Sequence, residues 1–133
     1  MIIKSKEELS ALREGGKILA EILKKVSAET KPDVKAEELN RLAESLILKS
    51  GGKSAFKGYS SKHDAAPFPS ALCISINDQV VHGVPTSRKI KEGDLVKLDL
   101  GLNYKGFFTD TALTVGIGEI SKEAKKLSQI TEE

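Results

Sequence analysis

The sequence has no long apolar run, only one cysteine and no marked excess of charge of either sign. No stretch approaches the roughly 20 apolar residues of a transmembrane helix, and Lys4 comes too early to leave room for a signal-peptide core. Cys73 has no partner for an internal disulfide, so we expect a reducing compartment, the cytoplasm. The 21 lysines and arginines nearly balance the 19 aspartates and glutamates, without a basic block, which argues against a nucleic acid or a membrane as partner.

Two helical patterns begin the chain. Ser5 followed by Glu8 is typical of a capping box, in which both side chains bond to backbone N–H groups. Apolar residues then recur at helical spacing from Leu9 to Val26, and Lys31-Pro32 ends this helix. A second helix is predicted over about Lys35 to Lys49, with its apolar residues on one face.

The rest of the chain is predicted to form strands and one more helix. The segment Lys53–Ser70 has no periodicity, and loops of this length in a compact domain are usually functional. A third helix begins near Ser121, and no capping residue ends it before Glu133, so we expect more protein beyond it. The predicted strands are Ala71–Ile76, a short Val80-Val81 segment, Leu95–Leu102 and Phe107–Val115, the last two joined by the hairpin loop Asn103–Gly106.

A pair of aspartates on this hairpin is the strongest chemical signal. With the turn centred in the loop Asn103–Gly106, the simplest register places Asp99 directly opposite Asp110, and a β-bulge would shift this by one residue. Like charges that face each other among apolar neighbours destabilise a sheet. A divalent cation would offset the repulsion. The alternative is a pair of solvent-facing aspartates without a ligand.

A second signal is the run Val80-Val81-His82-Gly83-Val84-Pro85, in which a histidine lies where the chain breaks into a loop. Gly83 permits close approach of backbone or ligand, so the imidazole of His82 can point into a cleft. The alternative is a structural histidine with satisfied hydrogen bonds. Taken alone, Cys73 is typical of a small buried core residue.

Together, these segments resemble the type I methionine aminopeptidases. The likeness is carried by Ile2–Gly16, Cys73–Asn77, Val80–Pro85, Lys91–Gly101 and Gly106–Val115, whose order and spacing match over nearly the whole chain. The resemblance implies an α/β fold, namely the N-terminal half of a "pita-bread" architecture with an antiparallel sheet and helices on one face. It also implies that residues 1–133 are the N-terminal part of a catalytic domain whose C-terminal half is absent.

The resemblance also assigns roles to five residues. By it, Asp99 binds one of two divalent ions and Asp110 bridges both. His82 is not a ligand but contacts the substrate near the scissile peptide. Cys73 and Phe68 line the pocket for the methionine side chain, and Phe68 is the one pocket aromatic that matches the family before the cysteine strand. One histidine and two glutamates that complete the family's metal site have no counterpart in this chain.

The implied reaction is hydrolysis of an N-terminal Met–X peptide bond, which removes the initiator methionine from nascent chains near the ribosome. The ions would be cobalt, manganese, iron or zinc. We expect this chain alone to bind them weakly or not at all, to be inactive, and to self-associate or require the missing half. Two other functions are a non-catalytic pita-bread module that binds peptides or partners, and a prolidase. The aspartate pair argues against the first, and the segment around His82 against the second.

Overall fold

The fold was analysed in a computed structural model that describes residues 2–62 and 65–132. Its elements are helix α1 (Lys6–Ala28), helix α2 (Ala36–Lys49), strand β1 (Lys53–Ser54), strand β2 (Leu72–Ile76), strand β3 (Leu95–Tyr104), strand β4 (Phe107–Gly116) and helix α3 (Lys122–Glu132). The three helices and the main strands are thus confirmed. The predicted strand at Val80-Val81 is wrong, since these residues lie in a loop, and β1 interrupts the segment that was predicted to be entirely loop. The expected continuation beyond Glu133 concerns the end of the chain, which lies outside the described residues.

Strand β3 is the centre of an antiparallel four-stranded sheet. It pairs with β4 along its whole length on one side. On the other side it pairs with β2 through Val96–Leu100 and with β1 through Leu102 and Asn103. The strand therefore brings residues from three other strands next to its own side chains.

Helix α1 begins at its predicted cap and packs across the sheet. The Ser5 hydroxyl accepts a hydrogen bond from Glu8 N at 3.2 Å, and the Glu8 carboxylate accepts one from Lys4 N at 2.6 Å. The cap is confirmed, although the Glu8 carboxylate accepts from the N–H of Lys4 and not from the N–H of Ser5, as a capping box would have it. At Gly15, a Cβ atom would lie 3.3 Å from Tyr104 Cβ, so this glycine permits close packing of helix on sheet. Within the described ranges, no helix is long and apolar enough to cross a membrane.

Alternation along β3 separates the core from the opposite face of the sheet. Leu98, Leu100 and Leu102 are fully buried against α1 and α2, because successive side chains of a strand point to opposite faces. Lys97 and Asp99 therefore point to the face that carries no helix of the core. This confirms the predicted arrangement for α1 and α2, which cover one face, whereas residues of α3 lie near Lys97 and Asp99 on the opposite face.

The β3–β4 hairpin has a different register from the predicted one. Its loop contains only Lys105 and Gly106, with φ of 52° and 85°, as in a type I′ turn. Asp99 consequently lies opposite Ala112, and Asp110 lies opposite Gly101. The predicted pairing of Asp99 with Asp110 is wrong because the turn is centred one residue later than a four-residue loop would be. A bulge is not the cause, since the ten pairs are continuous.

Candidate metal and peptide site

The two aspartates remain neighbours on the face of the sheet opposite α1 and α2. Because Asp99 pairs with Ala112, Asp110 is its diagonal neighbour on the same face, a relation that separates Cα atoms by roughly 7–8 Å. Burial, and then the charge of Asp110, raises the pKa of the Asp99 carboxyl, while His82 lowers it. The Asp99 Oδ1 atom is buried and has no hydrogen-bond partner among the described residues. The pair thus includes a buried carboxylate oxygen whose hydrogen-bonding capacity no described residue satisfies.

These features fit a divalent cation. A buried carboxylate oxygen without a partner is costly, and a bound cation would supply the missing interaction. Asp99 and Asp110 are the residues that would bind it. Nowhere in residues 2–62 and 65–132 do three or more possible ligands of the His, Cys, Asp and Glu types come together. A site with the usual ligand number would therefore require groups from outside this part of the chain.

His82 lies beside this pair on a tightly docked loop. Its φ of 57° is left-handed, an unusual conformation for a residue with a side chain. The next residue, Gly83, donates from its N to Ser75 Oγ at 3.1 Å and accepts from Ile74 N at 2.9 Å. A Cβ atom on Gly83 would lie 2.1 Å from Ile74 O, so only glycine fits between the loop and β2.

The loop is also fixed from its other end. The Lys97 ammonium donates hydrogen bonds to the backbone oxygens of Asn77 and Gln79. The Asn77 side chain donates to Asp94 Oδ1 and accepts from Leu95 N, both at 2.9 Å. These contacts and the docked Gly83 determine where His82 emerges.

A single cleft of about 940 Å³ brings all five predicted site residues together, with His82, Asp99 and Asp110 beside Phe68 and Cys73. Cys73 is 4% exposed. Burial raises the pKa of its thiol to about 12, and the charges of Asp99 and Asp110 add to this shift. The thiol is therefore protonated at neutral pH and is a poor nucleophile. Its contribution to the cleft is a small apolar wall.

The sequence did not reveal three further aromatic side chains that line the cleft, namely Phe56, Tyr59 and Phe108. Phe108 could have been found by alternation, since it lies on the same face of β4 as Asp110. Phe56 and Tyr59 lie in the loop without periodicity, which offers no such signal. The Phe56 ring packs over Gly101, where a Cβ atom would lie 2.6 Å from Phe56 Cε1. Phe68 is thus one of four aromatics in the cleft.

Comparison with known proteins relates this geometry to a family. The profile of metallopeptidase family M24 matches residues 10–133. The methionine aminopeptidase of Clostridium perfringens is 44% identical over 133 residues, which are all of this chain and 51% of that protein. The chain therefore spans about half the length of the curated relatives it matches.

Solved structures of methionine aminopeptidases share the fold of this chain, again over about half of their own length. The methionine aminopeptidase of Thermotoga maritima superposes with a TM-score of 0.90 at 34% identity, over 99% of this chain and 51% of that one. The methionine aminopeptidase of Rickettsia prowazekii also gives a TM-score of 0.90, at 30% identity, over 99% of this chain and 51% of that one. The predicted half of a pita-bread fold is confirmed by these likenesses. On its matched sequence and its fold, the chain belongs to metallopeptidase family M24.

Proposed function

We propose that this chain is the N-terminal half of a catalytic domain that removes methionine from the N-termini of nascent proteins. The observation that carries the proposal is the position of Asp99 and Asp110. The first has a buried oxygen without a partner, and both line an aromatic cleft on one face of the sheet. When bound, two divalent ions would polarise the scissile carbonyl and lower the pKa of a water molecule. Cobalt, manganese, iron and zinc all suit such ligands.

The chain's own residues would bind the ions and orient the substrate. Asp99 and Asp110 would hold the ions. His82, whose loop is fixed on both sides, would contact the substrate near the scissile peptide. Phe68 and Cys73 would form walls for the methionine side chain, because a thioether makes favourable contacts with aromatic rings. We place the reaction in the cytoplasm near the ribosome, where nascent N-termini emerge.

The complete reaction would need a second group of residues. The described part of the cleft offers two carboxylates, which is fewer than the three or more protein ligands of a catalytic metal site. Apolar side chains also remain exposed around the face with the cleft, among them Val80 at 78% and Phe108 at 60%. We therefore expect no aminopeptidase activity from this chain alone. A methionine aminopeptidase is favoured over a prolidase by the 44% identity to the enzyme of Clostridium perfringens.

Reconstitution tests the proposal. The chain would be coexpressed with the part of the Clostridium perfringens enzyme that it does not match, and methionine release from a Met-Ala-Ser peptide would be measured with Mn²⁺. We expect activity from the pair and none from either part alone. Asp110→Asn should abolish it, whereas Glu21→Gln, at an exposed position of α1, should leave it unchanged.

Two results would contradict the proposal. One is an inactive pair that copurifies and has the circular dichroism of a folded protein, which would favour the non-catalytic binding module. The other is release of methionine that persists in Asp110→Asn at the rate of the unchanged chain. Release by the chain alone, lost in Asp110→Asn, would show that the second half is not needed.

A further inference from the structure

The loop of residues 77–83, which carries His82, begins and ends beside two facing residues of the sheet. Ser75 of β2 and Lys97 of β3 lie directly opposite each other, so their side chains are on the same face. That face also carries Asp99, two residues further along β3. The two strands thus place a hydroxyl and an ammonium side by side, next to a carboxylate of the cleft.

Lys97 holds the first end of the loop through two backbone oxygens. Its ammonium donates hydrogen bonds to Asn77 O and Gln79 O. These oxygens belong to one tight turn, because Gln79 N donates to Ile76 O at 3.2 Å and the Gln79 side-chain oxygen accepts from Ile76 N at 3.0 Å. A single charged group therefore binds two points of the turn, and hydrogen bonds from a charged donor are stronger than neutral ones.

Ser75 holds the other end of the loop. Its buried hydroxyl accepts a hydrogen bond from Gly83 N at 3.1 Å, and Gly83 directly follows His82. The backbone of His82 is left-handed, with φ of 57°. Such a conformation persists only where the neighbouring contacts impose it. The bonds to Ser75 and Lys97 are contacts of this kind.

The Lys97 ammonium serves the loop and not the nearby carboxylate. Asp99 lies two residues along the same face and is an obvious partner for an ammonium. However, Asp99 Oδ1 has no hydrogen-bond partner among the described residues. The charges that shift the pKa of Asp99 are those of Asp110 and His82. The two backbone oxygens therefore bind the ammonium in place of the carboxylate.

We propose that Lys97 and Ser75 are positioning residues that together hold His82 beside Asp99 for the proposed hydrolysis. Neither side chain has to contact the substrate, because both act on the backbone on either side of His82. Lys97 fixes the turn with which the loop begins, and Ser75 fixes the backbone N–H that follows the histidine. The catalytic consequence rests on the proposed function, whereas the hold on the loop is a property of this chain alone.

Replacement and chemical rescue test the Lys97 contact in the chain alone. Lys97→Ala removes the ammonium and the carbon chain that carries it, which n-propylammonium in solution can replace. We expect the NMR order parameters of the amides of residues 79–82 to fall from about 0.85 to below about 0.6. Propylammonium should restore them, whereas tetramethylammonium, which has no N–H to donate, should not. The Gly83 amide, which Ser75 holds, should stay ordered.

A second variant and a control make this test specific. Lys97→Met has a side chain of similar length that donates no hydrogen bond. It should loosen the loop as Lys97→Ala does but should not respond to propylammonium, because its side chain fills the space. If Lys97→Ala does not fold, Lys97→Met still gives the comparison with the unchanged chain. Lys24→Met, at an exposed position of α1, should leave the order parameters unchanged.

Kinetics of the reconstituted pair separate positioning from binding. Lys97→Met and Ser75→Ala should each lower kcat for a Met-Ala-Ser peptide about tenfold to hundredfold, as expected when a reacting group is misplaced by about 1 Å. KM should change by less than about twofold, because the cleft residues that bind methionine are untouched. The double variant should lose less than the product of the two single losses, since both residues fix the same loop. Lys24→Met should keep the kcat of the unchanged chain.

Three outcomes would overturn the proposal. Unchanged order parameters in both Lys97 variants would show that Lys97 does not hold the loop. Equal recovery with tetramethylammonium and propylammonium would indicate an effect of salt and not of the lost donor. A raised KM with unchanged kcat would assign Lys97 to substrate binding. If the pair with the unchanged chain is inactive while the order parameters fall and recover as expected, the proposed hydrolysis fails and the hold on His82 stands.

Discussion

Replacement of Gly83 by alanine should detach the loop that carries His82. The added Cβ would lie 2.1 Å from Ile74 O, whereas carbon and oxygen atoms normally approach to about 3.3 Å. The loop must therefore withdraw by about 1 Å, which lengthens the 2.9 Å bond from Ile74 N and the 3.1 Å bond to Ser75 Oγ beyond hydrogen-bonding range. Two lost bonds with buried groups cost about 2–4 kcal/mol.

Urea denaturation followed by circular dichroism measures this loss, and amide exchange of Ile74 shows whether the loop has moved. Gly16→Ala is the matched control, since no atom lies within 4 Å of the added Cβ. In α1 it should raise the free energy of unfolding by up to about 1 kcal/mol. A Gly83→Ala chain with an unchanged denaturation midpoint and a protected Ile74 amide would refute the argument that the glycine fixes this loop.

Three further predictions concern the sheet. Burial and Asp110 raise the pKa of Asp99, so its protonated form stabilises the fold and this stability is lost as pH rises through the folded pKa. Asp99→Asn should therefore raise the free energy of unfolding at neutral pH but not below the unfolded pKa of about 3.9, and no gain in urea denaturation at pH 7 would contradict this. Leu98→Ala, at a fully buried position, should lower the free energy of unfolding by about 2–5 kcal/mol. The control Leu48→Ala, at an exposed position, should lower it by less than about 0.5 kcal/mol. Equal denaturation midpoints for the two variants would be inconsistent with the assigned core. Lys97→Met should cost about 1 kcal/mol and accelerate amide exchange around Gln79, whose carbonyl the ammonium contacts; unchanged exchange there would argue against the contact.

Much of the fold was predictable because local patterns and packing agree. The apolar stripe of α1 and the alternation of β3 both direct their large side chains to one core. The register was not predictable, because nothing in Asn103–Gly106 distinguishes a four-residue loop from a two-residue turn. Lys105 adopts a φ of 52°, which is uncommon for a residue with a side chain.

The cleft was only partly predictable for a related reason. Asp99, Asp110 and His82 stand in recognisable sequence contexts, and the cleft does bring them together. Phe56 and Tyr59 belong to a loop whose course depends on contacts distant in sequence, such as the 2.8 Å bond from Gly58 N to Phe68 O. The docking of Gly83 onto β2 is likewise a tertiary contact, although the glycine itself had suggested close approach.

The central claim is that Asp99 and Asp110 form a metal-binding pair, and paramagnetic broadening by Mn²⁺ tests it most directly, even if the binding is weak. With the ¹⁵N-labelled chain, substoichiometric Mn²⁺ should first broaden the amide signals of β3 and β4 around Asp99 and Asp110, together with Cys73, the neighbour of Asp99 on β2. Asp110→Asn should abolish this preference. Broadening that is equally strong at surface carboxylates such as Glu37 of α2, or that persists unchanged in Asp110→Asn, would contradict the claim.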